Sequence, residues 1–214
     1  MTDAPRLEAL VRGFRGRRVL VLADLVADEF VYGKVERISR EAPVLILRHD
    51  ATDVRLGGGA NAVHNIRTLG GTPLPFGVVG RDEHGRRLRA LLREKGIAAT
   101  GVRDEAGYPT PVKSRILAGR AHSIKQQVVR LDRYAPLPPR SAARRAVERA
   151  LVSFRGPVDG VLVSDYGCGL LDASLVRAAI GFARERKVPV TVDSRFALLR
   201  FRVMTAVSPN EPEV

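Results

Sequence analysis

From Ser141 onward, short apolar runs alternate with helix-spaced ones, and that rhythm restricts the possible folds more than any other feature of the sequence. Ser141 is placed to N-cap a helix carrying Ala146, Val147, Ala150, Leu151 and Phe154. Residues 158–163 read as a strand, and Asp172 caps a second helix with Leu175, Val176, Ala179, Ile180 and Ala183. Residues 188–192 and 203–207 read as two further strands. Strands that alternate with helices need crossovers, and a parallel sheet covered by helices accommodates them.

The first half begins in the same way. Arg18 to Asp24 is an apolar run too short for a helix, and it ends in an acid. Helical spacing at Ala62, Val63, Ile66 and Leu69 closes on Gly70 and Gly71. A strand is expected over residues 74–79, then a helix after Asp82 carrying Leu88, Leu91 and Leu92. Residues 29–33 and 43–48 read as two strands joined by a polar loop, and residues 112–118 and 124–131 as a hairpin turning near Gly119. The expected class is therefore α/β: a mostly parallel sheet with a small antiparallel β lid, its strands near 29–48 and 110–132. Pro136, Pro138 and Pro139 form the one linker-like stretch.

The 214 residues, 45% of them hydrophobic, suffice for one globular α/β domain. No apolar run approaches the ~18 residues of a membrane span, and the first residues lack a signal-peptide pattern. Cys168 is the only cysteine, which excludes internal disulfides and multi-cysteine metal sites; a cytoplasmic setting is expected. The formal charge is +13, and all but five of the 36 basic residues are arginines. Such an excess fits a nucleic acid, an anionic small substrate, or simply arginines spread over solvated faces. With dispersed arginines and only 5% aromatic residues, stacking platforms for nucleic acid are not expected.

The glycine run in RLGGGANAVHNI (residues 55–66) is the most unusual local feature. No Gly-Lys-Ser/Thr follows it, so it is not a P-loop. Gly57, Gly59 and Ala62 formally meet the dinucleotide fingerprint, but that motif belongs in the turn after the first buried strand, which here ends in Asp24. Two readings remain. Bare backbone at Gly57 and Gly58, with the donor and acceptor of Asn61 at a helix start, suits a ligand rich in hydroxyls. Alternatively, the glycines let a helix pack close to the sheet.

This stretch resembles the sugar-binding glycine motif of ribokinase-like (PfkB-type) carbohydrate kinases. Further blocks agree in order: Leu22-Ala-Asp24 with Asp28-Glu-Phe-Val-Tyr-Gly33, Gly77-Val-Val-Gly-Arg-Asp82, Val161-Leu-Val-Ser-Asp-Tyr-Gly167, Val188-Pro-Val-Thr-Val-Asp193 and Ser208-Pro-Asn-Glu-Pro-Glu213. Ile38-Ser-Arg-Glu-Ala-Pro-Val44 resembles the lid of heptose-7-phosphate kinases, the kinase module of ADP-heptose (lipopolysaccharide core precursor) synthesis. The resemblance implies a three-layer α/β/α fold, ATP and Mg²⁺ as cofactors, and transfer of phosphate to the anomeric hydroxyl of a sugar phosphate such as D-glycero-D-manno-heptose 7-phosphate. It implies sugar contacts at Asp24 and Asp28, and nucleotide contacts at Asp193, Arg195, Asn210 and Glu213, the last also serving Mg²⁺. Family lids often pair, so a homodimer through the lid is expected, with neither nucleic acid nor membrane as partner.

Lys113 and Arg115 alternate onto one face of a lid strand, roughly 6–7 Å apart, as a substrate phosphate would require. The same pattern serves a solvated edge strand. Arg130 and Asp132 are weaker candidates of the same kind. Asp165 and Tyr166 follow a strand at the carboxyl edge, where open α/β sheets bind ligands. Cys168 has no histidine pattern near it and reads as a bystander; His49, His64, His84 and His122 show no ligand spacing. Ser194 stands where the family usually has proline, so the assignment of Arg195 rests only on its place near a family lysine position.

The family's Gly-Ala-Gly-Asp block, which supplies the catalytic base and phosphate-holding amides, is absent from these 214 residues. The expectation is that residues 1–214 form the N-terminal two-thirds of a kinase domain, with the nucleotide-binding remainder and the base beyond Val214. The chain alone is then inactive. The competing readings are a kinase for another sugar and a non-catalytic sugar-phosphate-binding module.

Overall fold

A computed structural model describes residues 3–119, 124–195 and 204–208. Its elements run α1 (Ala4–Arg12), β1 (Arg18–Ala23), β2 (Leu25–Ile38), β3 (Leu45–Gly58), α2 (Gly59–Thr68), β4 (Thr72–Gly80), α3 (Glu83–Glu94), β5 (Gly101–Glu105), β6 (Val112–Gly119), β7 (Gln126–Arg133), α4 (Ala142–Ser153), β8 (Gly160–Asp165), α5 (Ala173–Glu185), β9 (Val190–Ser194) and β10 (Ala206–Val207).

Six strands form the main sheet in the order β10-β9-β8-β1-β4-β5, with every pairing parallel. Alternation along β1 builds the layers. Leu20 and Leu22 face a core with Val147 and Leu151 of α4 and Ala179 and Ala183 of α5. Val21 and Ala23 face the opposite way, onto Val63 of α2 and Leu88 and Leu92 of α3. A strand buried on both faces is continuously apolar, which is why residues 18–23 carry no polar alternation beyond Arg18. Asp82, Ser141 and Asp172 cap α3, α4 and α5 by accepting the amides of Gly85, Arg144 and Leu175.

The second sheet is the lid, ordered β3-β2-β6-β7. β2–β3 and β6–β7 pair antiparallel, but β2 and β6 pair in parallel, from Ala27 opposite Val112 to Lys34 opposite Gly119. The expected antiparallel lid is therefore a mixed sheet. The reason is connectivity: the chain leaves the β2–β3 hairpin, crosses the main sheet through α2, β4, α3 and β5, and re-enters the lid from the same side as before. β2 and β3 also run far longer than expected, 14 residues each, with register shifts between Tyr32 and Gly33 and between Val35 and Arg37. The glycine run consequently ends a strand, though one in the lid. Helix α1 and edge strand β5 were not anticipated. No residue of α1 is buried, and β5 carries Arg103, Asp104 and Glu105 in its five residues.

The corner from β3 to α2 is pressed against the end of β1. Gly58 sits at φ +52°, in the region that favours glycine, and a Cβ on Gly59 would lie 2.4 Å from the Cβ of Ala23 and 2.8 Å from the Asp24 carbonyl oxygen. Gly59→Ala should therefore destabilise the fold by on the order of 1–3 kcal/mol. Gly181, inside α5 with open space around its would-be Cβ, should gain about 0.5–1 kcal/mol on the same change to alanine. Denaturant melts of the two variants, expected to shift in opposite directions, check both.

Candidate functional site

In the main sheet β1 is flanked by β4 on one side and β8 on the other, so the chain's path reverses direction at β1. Open α/β sheets bind ligands outside the carboxyl ends of the strands at such a point. Asp24 follows the end of β1 and Asp165 ends β8.

Asp24 is only 3% exposed. Its Oδ2 accepts the amides of Tyr166 and Cys168, each at 3.0 Å, from the loop after β8. Its own amide donates to the Ser164 carbonyl, and its carbonyl accepts the Gly59 amide at 3.0 Å. One residue thus joins the end of β1, the loop after β8 and the first turn of α2. Burial pushes the Asp24 carboxyl up to about 6. The Cys168 amide pulls it back and the neighbouring Asp165 charge pushes it further up.

Beside it, α2 begins differently from the other described helices. Its N-cap is Gly58, and no side chain caps it. Asn61 lies exposed on its first turn. An uncapped helix start offers amide donors and a positive dipole end. The three glycines themselves are also explained by close packing: a Cβ on Gly57 would meet the Asp28 carboxyl carbon at 2.6 Å, and one on Gly58 the Cγ2 of Val26 at 2.6 Å. Both readings of the glycine run are compatible with this corner.

Asp28 faces this corner from β2, and its Oδ1 accepts a 2.7 Å ion pair from Arg115. Lys113 and Arg115 do share a face of β6, while Ser114 turns to the other side and donates to Glu29. Their partners differ. Arg115 is engaged by Asp28 and stacks toward Phe30, whereas the Lys113 ammonium lies 5.0 Å from the Tyr166 ring centroid. Arg195 also lies over Tyr166, at 4.9 Å. Arg130 and Asp132, cross-strand partners of Arg115 and Lys113, pair with each other and line the same small cleft. Tyr166 is thus a site component in its own right and not only the residue after Asp165; its place between two cations depends on contacts remote in sequence.

Asp165 is buried, with Oδ2 accepting from Ser194 Oγ at 2.7 Å and Oδ1 from the Gly167 amide. Its carboxylate shapes the loop that holds Asp24. Asp193 pairs across from Ser164 on β9. Asn210 and Glu213 lie outside the described residues, and with Glu213 goes the only proposed Mg²⁺ ligand. Among the described residues no group of three or more His, Cys, Asp or Glu side chains is arranged to hold a metal. Burial pushes the Cys168 thiol up to about 12, so it is not a nucleophile at neutral pH.

The back of the lid is held differently. Glu29 accepts from Ser114 at 2.5 Å, Arg133 at 3.1 Å and His84 of α3 at 2.9 Å. Burial alone would raise its carboxyl, but the hydrogen bonds from Ser114 and His84 hold it below the ordinary glutamate value. A larger cavity of about 580 Å³ opens here, between β3 and α3, and none of the residues around Asp24 lines it.

Residues 19–127 match the model of the pfkB family carbohydrate kinases. The chain is 36% identical over 202 residues to a protein of Granulibacter bethesdensis named bifunctional protein HldE, covering 94% of this chain and 41% of that protein. It is 38% identical over 216 residues to the protein of the same name from Caulobacter vibrioides, covering 100% and 42%. The chain spans about two-fifths of the length of these relatives. Phosphofructokinase-2 of Escherichia coli in complex with fructose-6-phosphate shares the fold at a TM-score of 0.64 and 20% identity, over 93% of this chain and 62% of that one. A putative ribokinase from Agrobacterium tumefaciens does so at 0.53 and 22%, over 83% and 52%. The three-layer arrangement is thus the ribokinase-like one. No described helix is long and apolar enough to cross a membrane.

Because the raised Asp24 value means that the folded state keeps its proton to a higher pH than the unfolded chain, the contribution runs one way. Stability from neutral Asp24 is present below the ordinary carboxylate value and is lost as pH rises through about 6. Carbon-detected NMR should find Asp24 titrating near pH 6, and Asp24→Asn should flatten that part of the stability profile relative to the parent chain.

Proposed function

The chain belongs to the pfkB family of carbohydrate kinases, and from that premise we propose that it carries the acceptor-binding half of an ATP-dependent kinase acting on D-glycero-D-manno-heptose 7-phosphate at its anomeric hydroxyl. The observation that carries the reading is Asp24: a buried carboxylate at the reversal point of the sheet, beside an uncapped helix start. The HldE relatives support the heptose phosphate as substrate.

In this reading the Asp24 carboxylate accepts hydrogen bonds from sugar hydroxyls, kept ionised above pH 6 and fixed in direction by the Tyr166 and Cys168 amides. Asp28 adds a second acceptor, oriented by Arg115. The Gly57–Gly58 backbone and Asn61 line the sugar's other edge. Asp193, Asn210 and Glu213 are assigned to the nucleotide side, the last with Mg²⁺; ATP supplies the phosphoryl group. The attacking hydroxyl needs a base, and the Gly-Ala-Gly-Asp block that provides one in the family is absent from these 214 residues. The chain is assigned as residues 1–214 of a longer kinase domain, acting in the cytoplasm.

Calorimetry with heptose 7-phosphate tests the reading. The chain should bind it, and Asp24→Asn should weaken binding by roughly a hundredfold, the worth of about two charge-assisted hydrogen bonds. A coupled assay should detect no ATP turnover by the chain alone. Equal binding by parent and Asp24→Asn would remove the basis for the assignment.

The lid is assigned to homodimerisation. Ile38 and Leu45 pair across the β2–β3 hairpin and are 66% and 46% exposed. Light scattering should find a dimer that Ile38→Asp converts to monomer.

A further inference from the structure

Several features carry no ligand-specific argument. The cavity between β3 and α3 is lined by both Arg86 and Arg87 and by Glu29, Asp53 and Glu83, so it has no single charge preference. The exposed apolar face of α1 has nothing to say what covers it. Arg144, buried with its Nε unpaired, ties the 136–139 segment to the loop after β8 through the Leu137, Pro139 and Gly169 carbonyls, a structural role. The small cleft beside Tyr166 is different.

Its volume is about 170 Å³, and its polar lining comes from Lys113, Arg130, Asp132, Tyr134, Tyr166 and Arg195. Three cations meet one carboxylate there. Arg130 is engaged by Asp132 in a two-point pair. Neither Lys113 nor Arg195 has a carboxylate within ion-pair distance among the described residues, and both instead stack on one ring, at 5.0 and 4.9 Å from its centroid. They lie at most about 10 Å apart, two like charges held near each other by an aromatic face. Burial lowers the Lys113 ammonium below its ordinary value and Arg195 lowers it further, while the Asp132 and Asp28 carboxylates offset this only in part.

The cleft also has a fixed relation to Asp24. Cys168, whose amide holds the Asp24 carboxylate, lines the cleft, as does Val26, which packs against Gly58. Lys113 is the direct cross-strand neighbour of Asp28. A ligand whose hydroxyls lie against Asp24 and Asp28 can therefore extend an anionic group between Lys113 and Arg195.

We propose that Lys113 and Arg195, stacked on Tyr166 with Arg130 behind them, form the subsite for the phosphate already present on the acceptor sugar. The inference rests on the acceptor reading above and moves Arg195 from the nucleotide side, where sequence resemblance had put it, to the acceptor side. It also makes the site selective: a sugar without a phosphate leaves Lys113 and Arg195 without an anion at ion-pair distance among the described residues. Tyr166 keeps the guanidinium and the ammonium at a fixed spacing, and Arg130, already paired with Asp132, adds long-range charge.

The test is calorimetry on the full 214-residue chain with three probes: heptose 7-phosphate, the same heptose without phosphate, and ATP. The parent chain is expected to prefer the phosphorylated heptose by at least about a hundredfold, from two charge-assisted contacts. Arg195→Gln and Lys113→Gln should each weaken heptose 7-phosphate by about tenfold or more and leave the unphosphorylated heptose unchanged. Arg195 is exposed, so its variant is not expected to disturb folding, and matching melts of parent and variant verify this. If Arg195→Gln weakens ATP but not heptose 7-phosphate, or weakens both heptoses alike, the subsite is wrong while the acceptor reading stands. If the parent binds neither heptose, the acceptor reading fails and the subsite with it.

Discussion

A single buried carboxylate fixes the geometry at the centre of this molecule. Asp24 is taken out of water and repaid by two amides from the loop after β8, while its own carbonyl receives the first amide of α2. A charge in such a place is costly: burial, with the neighbouring Asp165 charge, pushes the carboxyl up to about 6 against the pull of the backbone amides. That cost is tolerated at the point where the strand order reverses, at β1, and where the backbone of three elements converges. The amides that hold the carboxylate come from the loop after β8, on one side of it, while the Asp24 carbonyl is tied to the first amide of α2 on the other.

The other elements follow from keeping the Gly57–Asn61 corner closed-packed yet reachable. Gly59 brings α2 within contact of Ala23, and Gly57 leaves room for the Asp28 carboxylate. The lid then carries two distinct charge systems on its two faces. On the outer face Glu29 collects Ser114, Arg133 and His84 and ties β2 and β6 to α3. On the inner face Arg115 is spent on Asp28, and Lys113 is left to Tyr166. Two residues apart on one strand, the two cations do different work because one has a carboxylate opposite it and the other an aromatic ring.

Much of the main sheet was legible because its signals are local. β1 is an uninterrupted apolar run, and Ser141 and Asp172 are caps whose partners lie three residues on. The motif blocks were legible for the same reason, each being a few consecutive residues. The parallel β2–β6 pairing was not, since β3, α2, β4, α3 and β5 intervene between the two strands, and no periodicity reports which direction a returning strand takes. The lengths of β2 and β3 were hidden by their register shifts, which break the alternation that marks a strand. The Asp28–Arg115 pair spans 87 positions, and Tyr166 likewise meets Lys113 from a distant part of the sequence. α1 had no core face to betray it.

The central claim is that sugar hydroxyls rest on Asp24 at the carboxyl edge of β1. A crystal structure of the chain with heptose 7-phosphate tests it most directly. The account predicts a sugar hydroxyl within hydrogen-bond distance of the Asp24 carboxylate, with the sugar over the Gly57–Asn61 corner and beneath the lid. A sugar bound instead in the cavity between β3 and α3, with no contact to Asp24, would contradict it.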